Sequence, residues 1–381
     1  MQNQFELTED QVAIQDMARR FTSDAITPYA AEWDEKSHYP VDVWKAAGDV
    51  GFGGIYVSEE SGGTGLGRLE AALIMEAMAY GCPTTSAFIS IHNMAAWMID
   101  CFGSADLKAR YLPDLVSMNK IASYCLTEPG SGSDAAALKT TARIDGDHYV
   151  LNGTKQFISG AGYNDLYVCM VRTGGLGAKG ISCVVVDKGT PGLSFGASEK
   201  KLGWNASPTA QVIFEDCRVP VANRVGVEGD GFRFAMMGLD GGRLNIGACS
   251  LGGARRCLDE TIAYTKDRQQ FGQPVSEFQN TQFMLADMAT DLEAARALLY
   301  IAAAKVTANA PDKSRFSAMA KRLATDSGSE IVNNALQLFG GYGYLRDYPI
   351  ERFWRDLRVH SILEGTNQVM RMIIGRDLLR Q

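Results

Sequence analysis

Apolar positions change their period twice along this chain. Up to about residue 121 they recur at helical spacing. Thr8-Glu9-Asp10-Gln11 has the form of a capping box, in which Thr8 caps and Gln11 reaches back. Ile14, Met17, Phe21 and Ala25 follow at three- and four-residue steps until Pro28 ends the run. Leu69, Leu73, Glu76, Ala77 and Tyr80 open another helix. Ser86 to Cys101 is apolar nearly all round, which predicts a central buried helix, and Ser104 is placed to cap the next one.

From about 122 to 225 the period drops to two, or to short apolar runs. Ile121 to Thr127, His148 to Leu151, Leu166 to Val171, Ile181 to Val186 and Gln211 to Phe214 read as strands separated by Gly and Pro turns. Strand follows strand with no helix between, which predicts an antiparallel or barrel-like domain rather than βαβ units. From about 230 the chain is helical again, in long segments near 230–267, 276–308, 313–340 and 350–379. Short links between them predict an up-and-down bundle. The fold class is therefore α+β, mostly α. It comprises an N-terminal helical domain (1–121), a middle antiparallel β domain (122–225) and a C-terminal four-helix bundle (226–381).

The 381 residues, 46% hydrophobic and 21% charged, suit two or three domains with well-buried cores. A formal net charge of -7 argues against nucleic acid, whose phosphates need a basic face. No apolar run reaches membrane-spanning length. Met1-Gln2-Asn3-Gln4-Phe5-Glu6 lacks the basic start and apolar core of a secretory signal, and also an Arg-rich presequence; a processed mature chain would look the same. The cysteines at 82, 101, 125, 169, 183, 217, 249 and 257 form no C-x-x-C pair and sit mostly among apolar neighbours. They read as reduced thiols in a cytosol-like compartment, that is, a bacterial cytoplasm or a mitochondrial matrix. Four scattered histidines make no metal site. Demanding chemistry in this chain calls for an organic cofactor.

Gly175-Leu176-Gly177-Ala178-Lys179-Gly180 matches the dinucleotide fingerprint, but that fingerprint must open a helix. Here the strand Ile181 to Val186 follows, so the match is most simply a hairpin turn. Leu126-Thr127-Glu128-Pro129-Gly130-Ser131-Gly132-Ser133-Asp134 ends a strand in small residues, hydroxyls and bare N–H groups. Such a loop suits either a plain turn or close approach to a flat ring or phosphate. Phe157-Ile158-Ser159-Gly160 sets an aromatic body and a hydroxyl at another strand end. Gln337-Leu338-Phe339-Gly340-Gly341 closes a long helix on paired glycines, as an ordinary C-terminus or as bare backbone for a ligand. Arg268, in Asp267-Arg268-Gln269-Gln270-Phe271-Gly272, is either an exposed helix end or a pyrophosphate clamp. Asp240-Gly241-Gly242-Arg243 places two glycines inside a helical pattern, at about 1 kcal/mol each relative to alanine. That suggests close approach of something to this helix.

Glu364 lies in Ile362-Leu363-Glu364-Gly365-Thr366-Asn367-Gln368, on an apolar step between two helical stretches. Ile362 and Leu363 desolvate it, which raises its pKa toward the range of a useful proton acceptor. Thr366 can cap the helix that follows, turning that helix's positive end toward Glu364. An ordinary acid beside a helix start has the same local pattern.

Five segments together resemble the acyl-CoA dehydrogenase family: LTEPGSGSD at 126–134, FISG at 157–160, DRQQFG at 267–272, QLFGGYGY at 337–344 and ILEGTNQV at 362–369. The resemblance runs over essentially the whole chain. It implies a helical, β and four-helix domain in that order, usually as a homotetramer. It also implies FAD as cofactor, an acyl-CoA thioester as substrate and electron-transfer flavoprotein as acceptor. In that chemistry a carboxylate removes the pro-R α-proton while the β-hydrogen leaves as hydride to flavin N5, in a site closed to water. The resemblance assigns the base to Glu364. In some branched-chain and long-chain members the base instead precedes the Arg of the 240–243 segment. Here that residue is Gly242, which cannot serve.

By the same resemblance Leu126, Thr127, Phe157 and Ile158 lie at the flavin, and Ser159 hydrogen-bonds near N5. Many relatives carry Trp and Thr where this chain has Phe157 and Ser159. Ser133 is expected near the cofactor and the thioester arm. Arg268, Phe271, Gln337, Gly340 and Gly341 are expected to hold the pyrophosphate and adenine end from a neighbouring subunit, and Thr366 and Gln368 to contact the cofactor from the base's own loop. Asp240 and Arg243 are expected along the CoA tail.

DHYVLNGTKQFISGAG at 147–162, TGGLGAKGISCVVVDKGTPGLSFG at 173–196 and EDCRVPVANR at 215–224 closely resemble the branch of the family that oxidises isobutyryl-CoA in valine breakdown. The implied product is methacrylyl-CoA, and the implied pocket is short and wide, lined by Ser86, Ser90, Ile91, Met94, Leu363 and Gly365. No Arg lies between Arg68 and Arg110, so that wall is expected to lack the cation a dicarboxylyl-CoA would need. The alternatives are a dehydrogenase for 2-methylbutyryl-CoA or butyryl-CoA, an oxidase that passes electrons to oxygen, and a non-catalytic assembly protein that keeps the fold.

Overall fold

The computed structural model describes residues 6–380; Met1 to Phe5, part of the start judged unlike a signal, lie outside the described residues. The N-terminal helices are α1 (Glu9–Ala25), α2 (Ala30–Lys36), α3 (Val41–Asp49), α4 (Arg68–Gly81), α5 (Pro83–Phe102) and α6 (Ala105–Val116). The capping box forms as expected: the Gln11 N–H donates to Thr8 Oγ1 at 3.2 Å and the Thr8 N–H to Gln11 Oε1 at 3.0 Å. Ser104 caps α6 by accepting from the Leu107 N–H at 3.2 Å. α5 is buried along nearly its whole length, as its all-round apolar character requires, and packs against α4, β1 and the later helix α7 (Gly231–Asp267).

The middle of the chain forms β1 (Ala122–Cys125), β2 (Thr141–Asp145), β3 (His148–Ser159), β4 (Leu166–Arg172), β5 (Ile181–Asp187), β6 (Leu193–Phe195), β7 (Thr209–Pro220) and β8 (Arg224–Val225). They make one sheet in the order β6-β7-β3-β2-β4-β5-β8, with β1 beside β4. β4 is an unbroken apolar run because both its faces are covered. Leu166, Val168 and Met170 face a core shared with α5 and α6, and Tyr167, Cys169 and Val171 face an interior shared with β3 and β7. Pairing is antiparallel except for β1–β4 and a single β2–β4 pair, which are parallel. Alternation reports which face a residue takes, not the direction of its neighbour, so the pattern did not carry this exception. The G-x-G-x-x-G segment lies in the β4–β5 connection and opens no α-helix; β5 follows a single 3-10 turn at Ala178–Gly180.

After α7 come a small hairpin, β9 (Gln269–Gln270) and β10 (Gln273–Pro274), then α8 (Gln279–Thr307) and α9 (Lys313–Phe339). The segment expected as one helix over 350–379 is two, α10 (Ile350–Leu357) and α11 (Asn367–Leu378). Between them Glu364 and Gly365 have φ of 56° and 89°, which a right-handed helix does not admit. Apolar periodicity runs on across this break, which is why the pattern hid it. α4 and α5 pack on α7, and Met75, Met78, Leu244, Leu251 and Leu299 share one core. The two helical regions are therefore joined, and the loop carrying Glu364 meets α7 at Gly242.

Candidate active site

α7 is buried over its central turns and bare along one face. Gly238, Gly241, Gly242 and Asn245 are spaced i, i+3, i+4, i+7 and so share that face. Other elements fill the space. A Cβ at Gly238 would lie 3.3 Å from Met94 Cγ, one at Gly241 2.3 Å from Arg68 Nη1, and one at Gly242 2.6 Å from Glu364 Oε2. Asn245 Nδ2 donates to the Tyr56 hydroxyl at 3.2 Å and to Ser90 Oγ at 2.9 Å. The groups whose close approach the paired glycines called for are thus a carboxylate and a guanidinium.

Glu364 comes to Gly242 from the loop between α10 and α11, in a left-handed conformation that costs a non-glycine residue roughly 1–3 kcal/mol. Arg243 Nε donates to the Glu364 carbonyl at 3.3 Å. Lys321 Nζ, from α9, donates to the Gly365 carbonyl at 2.8 Å and to Asn367 Oδ1 at 2.9 Å. Thr366 caps α11 by accepting from the Val369 N–H at 3.2 Å. Part of the Glu364 residue stays accessible, but Oε2 is sealed from solvent and has no hydrogen-bond partner. Burial pushes the carboxyl up to about 7, against the opposing pull of Arg243 and Lys321. Burial also lowers the Lys321 ammonium to about 8. The Tyr124 hydroxyl is likewise sealed and unpartnered, and is pushed well up by burial and by the charge of Glu364. A carboxyl that titrates near neutrality with one oxygen free can take a proton from a bound carbon acid.

Arg243 and Asp240 are both buried. Arg243 Nη1 donates to Asp240 Oδ1 at 2.8 Å, and Ser314 Oγ donates to Asp240 Oδ2 at 2.6 Å. The pair ties α7 to α9 and, through Arg243, to the loop that carries Glu364.

On the sheet side, the loop from Leu126 to Asp134 is braced by Glu128. Its carboxylate accepts from the Lys139 N–H at 2.6 Å, the Thr140 N–H at 2.9 Å and the buried Lys155 Nζ at 2.8 Å. Lys155 Nζ also donates to the Leu126 carbonyl at 3.2 Å. Gly130 and Gly132 have open space where a Cβ would stand, and Ser133 is exposed. Beside this loop the β3–β7 register shifts between Lys155 and Ile158. The bulge throws Phe157 outward at φ 58°, 64% exposed, while Ile158 turns into the core. The carbonyl of Thr127 accepts from the Gln156 N–H at 2.8 Å, and Ser159 is half-buried nearby on β3. The result is a surface that presents an aromatic ring, two hydroxyl residues and uncovered glycines.

Arg268 and Phe271 lie past the far end of α7, and Gln337, Gly340 and Gly341 at the end of α9. Arg268 ends α7, about 39 Å further along that helix than Gly242. Its guanidinium lies over the Tyr342 ring, 5.3 Å from the centroid. Phe271, in the β9–β10 turn, is 96% exposed at φ 53°. Gln337, Gly340 and Gly341 are exposed, with open space over both glycines. Gln368 is exposed at the start of α11.

Of the expected pocket residues, Met94 and Ser90 meet the bare face of α7. Ser86 meets the same face one to two turns further on: its hydroxyl lies 3.2 Å from Cys249 Sγ on α7 and donates to the Met75 carbonyl at 2.7 Å. Ile91 and Leu363 pack, partly buried, against the helical core. The wall expected to lack a cation has one beside it, because Arg68 at the start of α4 brings a buried guanidinium to Gly241. Sequence reasoning also passes over Tyr56, Asn245, Glu128, Lys155 and Lys321. Lys321 did leave a signal. It shares one face of α9 with Ser317, Ala324 and Gly328, and a lysine inside a stripe of small residues is a candidate for burial.

The chain matches the N-terminal, middle and C-terminal domains of acyl-CoA dehydrogenases at residues 8–119, 123–217 and 229–379. It belongs to the acyl-CoA dehydrogenase family and is an FAD-dependent oxidoreductase acting on acyl-CoA. Among curated relatives it is 57% identical to a mitochondrial isobutyryl-CoA dehydrogenase of Dictyostelium discoideum and 54% identical to one of Bos taurus, in each case over 98% of this chain and 90% of the relative. A solved butyryl-CoA dehydrogenase from Megasphaera elsdenii superposes with a TM-score of 0.96 at 37% identity, over 99% of this chain and 100% of that one. The exposed ring of Phe157 and the uncovered backbone at Gly130 and Gly132 suit contact with a flat aromatic system such as a flavin.

Proposed function

We propose that this chain oxidises isobutyryl-CoA to methacrylyl-CoA in valine breakdown, with Glu364 as the base. The observation that carries the proposal is the unpartnered Oε2 of Glu364 over Gly242. An acyl group bound beside Glu364, where its carboxylate reaches Gly242, presents its α-carbon to that oxygen. Glu364 takes the α-proton, and the burial that raises its pKa favours the neutral carboxyl so formed. FAD, held by Leu126, Thr127, Phe157 and Ser159, would supply a two-electron acceptor for the β-hydrogen. Lys321 and Arg243 keep the base loop in its left-handed turn while the proton moves. Leu126, Thr127, Phe157 and Ser159 attend the flavin ring in this reading, and Thr366 and Gln368 the cofactor on the base side.

Arg268, Phe271, Gln337, Gly340 and Gly341 are assigned to the adenine end of a cofactor whose flavin lies in another copy of the chain. The distance along α7 supports this, because about 39 Å is longer than one dinucleotide spans. A homotetramer, electron-transfer flavoprotein as acceptor, and a bacterial cytoplasm or mitochondrial matrix complete the proposal. Identity to enzymes named for isobutyryl-CoA supports the choice of substrate.

Anaerobic isobutyryl-CoA should bleach the yellow protein. Glu364→Gln should keep its FAD but bleach about 10²–10⁴-fold more slowly, the usual contribution of a general base. A normal rate in that variant would exclude Glu364. Steady-state rates with isobutyryl-, 2-methylbutyryl-, isovaleryl- and butyryl-CoA decide the acyl group. Rapid reoxidation of the reduced protein by oxygen would favour an oxidase, and loss of both flavin and thioester binding an assembly role.

A further inference from the structure

Arg68 is 8% exposed, yet among the described residues no carboxylate lies within ion-pair distance of its guanidinium. Its charge is met instead by aromatic faces. Cζ stands 3.7 Å from the centroid of Tyr56 and 5.3 Å from that of Trp97. The head packs onto bare backbone, with Nη1, Cζ and Nη2 lying 2.3, 2.6 and 3.0 Å from where a Cβ of Gly241 would be. The adjacent residue, Gly242, carries the Glu364 carboxylate in the same way. Both groups therefore rest on one helical turn of α7. The groups pulling on the Glu364 carboxyl are Arg243 and Lys321, so Arg68 stands off from the base. The Tyr56 hydroxyl lies in the field of both Arg68 and Glu364.

We propose that Arg68 is a specificity-determining residue that limits the length of the acyl group. This rests on the reading of the α7 face as the acyl site. The guanidinium sits on the residue of α7 next to the one that carries the carboxylate, so an acyl group whose α-carbon meets Glu364 carries its branch beside the base, while a chain extended toward Gly241 meets Arg68. An alkyl chain extended past the base would have to cover or displace N–H groups of a buried cation. It would offer them no hydrogen bond, which is an effective way for a site to reject an apolar ligand. Retaining a buried, carboxylate-free arginine between two rings has a desolvation cost, and a filter on chain length gives it a role.

The test compares kcat/KM for isobutyryl-, butyryl- and hexanoyl-CoA in the FAD-loaded wild type and in Arg68→Ala. The ratio of hexanoyl- to isobutyryl-CoA should rise at least tenfold, of the order that pocket methylenes command. Arg68→Met keeps an unbranched stem against both rings and should shift the ratio the same way by a smaller factor, which preserves the test if the alanine variant loses its flavin. An unchanged ratio in an FAD-retaining variant overturns the proposal, as does an equal loss on all three substrates. If the wild type prefers butyryl- to isobutyryl-CoA, the substrate assignment fails on its own. The hexanoyl-to-butyryl ratio then still reports on Arg68.

Discussion

Replacing Gly242 with alanine should slow catalysis and leave the fold intact. Position 242 lies inside α7 with ordinary helical backbone, so a Cβ meets no conformational obstacle there. It meets the carboxylate proposed as the base instead, at 2.6 Å from Oε2, 3.0 Å from the carboxyl carbon and 3.2 Å from Oε1 of Glu364. Comfortable contacts are about 3.5 Å or longer, so the carboxylate must retreat by roughly 1 Å. The displaced atoms are the free end of a side chain, which moves cheaply, and alanine returns about 1 kcal/mol of helix propensity. Stability should therefore hold or rise slightly. The reaction has no such slack, since a displacement of about 1 Å at a reacting group costs about 10²-fold in rate. Stopped-flow bleaching of the flavin by isobutyryl-CoA, read beside a thermal melt, separates the two effects. Bleaching about a hundredfold slower with Tm unchanged or raised is the expected result. A wild-type rate would refute the reasoning, and so would loss of FAD together with a lowered Tm.

Other consequences follow from the same electrostatics. The Glu364 carboxyl has a pKa near 7 when folded and near 4.5 when unfolded, so the folded chain binds that proton more tightly and loses stability as pH rises from 4.5 to 7. Glu364→Gln removes the loss and should be about 3 kcal/mol more stable than wild type at pH 8 but not near pH 4.5; a gain in urea unfolding that ignores pH would contradict this. Lys321→Met removes a cation beside the base, so the base's pKa rises and the acid limb of the bleaching rate should move to higher pH. An unmoved limb would deny Lys321 any hold on the charge. Lys155→Met strands the buried Glu128 carboxylate, and breaking such a pair costs about 3–5 kcal/mol. Its Tm and FAD retention should both fall, and retention of both would show that the Leu126–Asp134 loop is held by other contacts.

The three-part layout was legible because each part declares its period: 3.6 in α1 and α7, two faces of a covered sheet in β4 and β5. The parallel placement of β1 was not, because strand direction leaves no mark on alternation. The gap between α10 and α11 was hidden by apolar residues that continue through it, although Thr366 announced the restart of the helix. Glu364 was readable as a desolvated acid, and the paired glycines at 241 and 242 as a place of close approach. What no local pattern could supply was the meeting of the two. Arg68 and Lys155 carry no local mark of burial, since it depends on groups 173 and 27 positions away, Gly241 for Arg68 and Glu128 for Lys155.

The length of α7 has a genetic consequence. It sets Glu364 and the Arg268–Phe271 arm about 39 Å apart along one helix, so if that arm serves a neighbour's cofactor, every working site is a joint product of two chains. A chain bearing Glu364→Gln and a chain bearing Arg268→Ala would each be defective alone. In a mixed pair, one site would inherit both lesions and the other neither. Two defective alleles would then restore part of the activity together, and one defective allele would reach into sites whose base is sound.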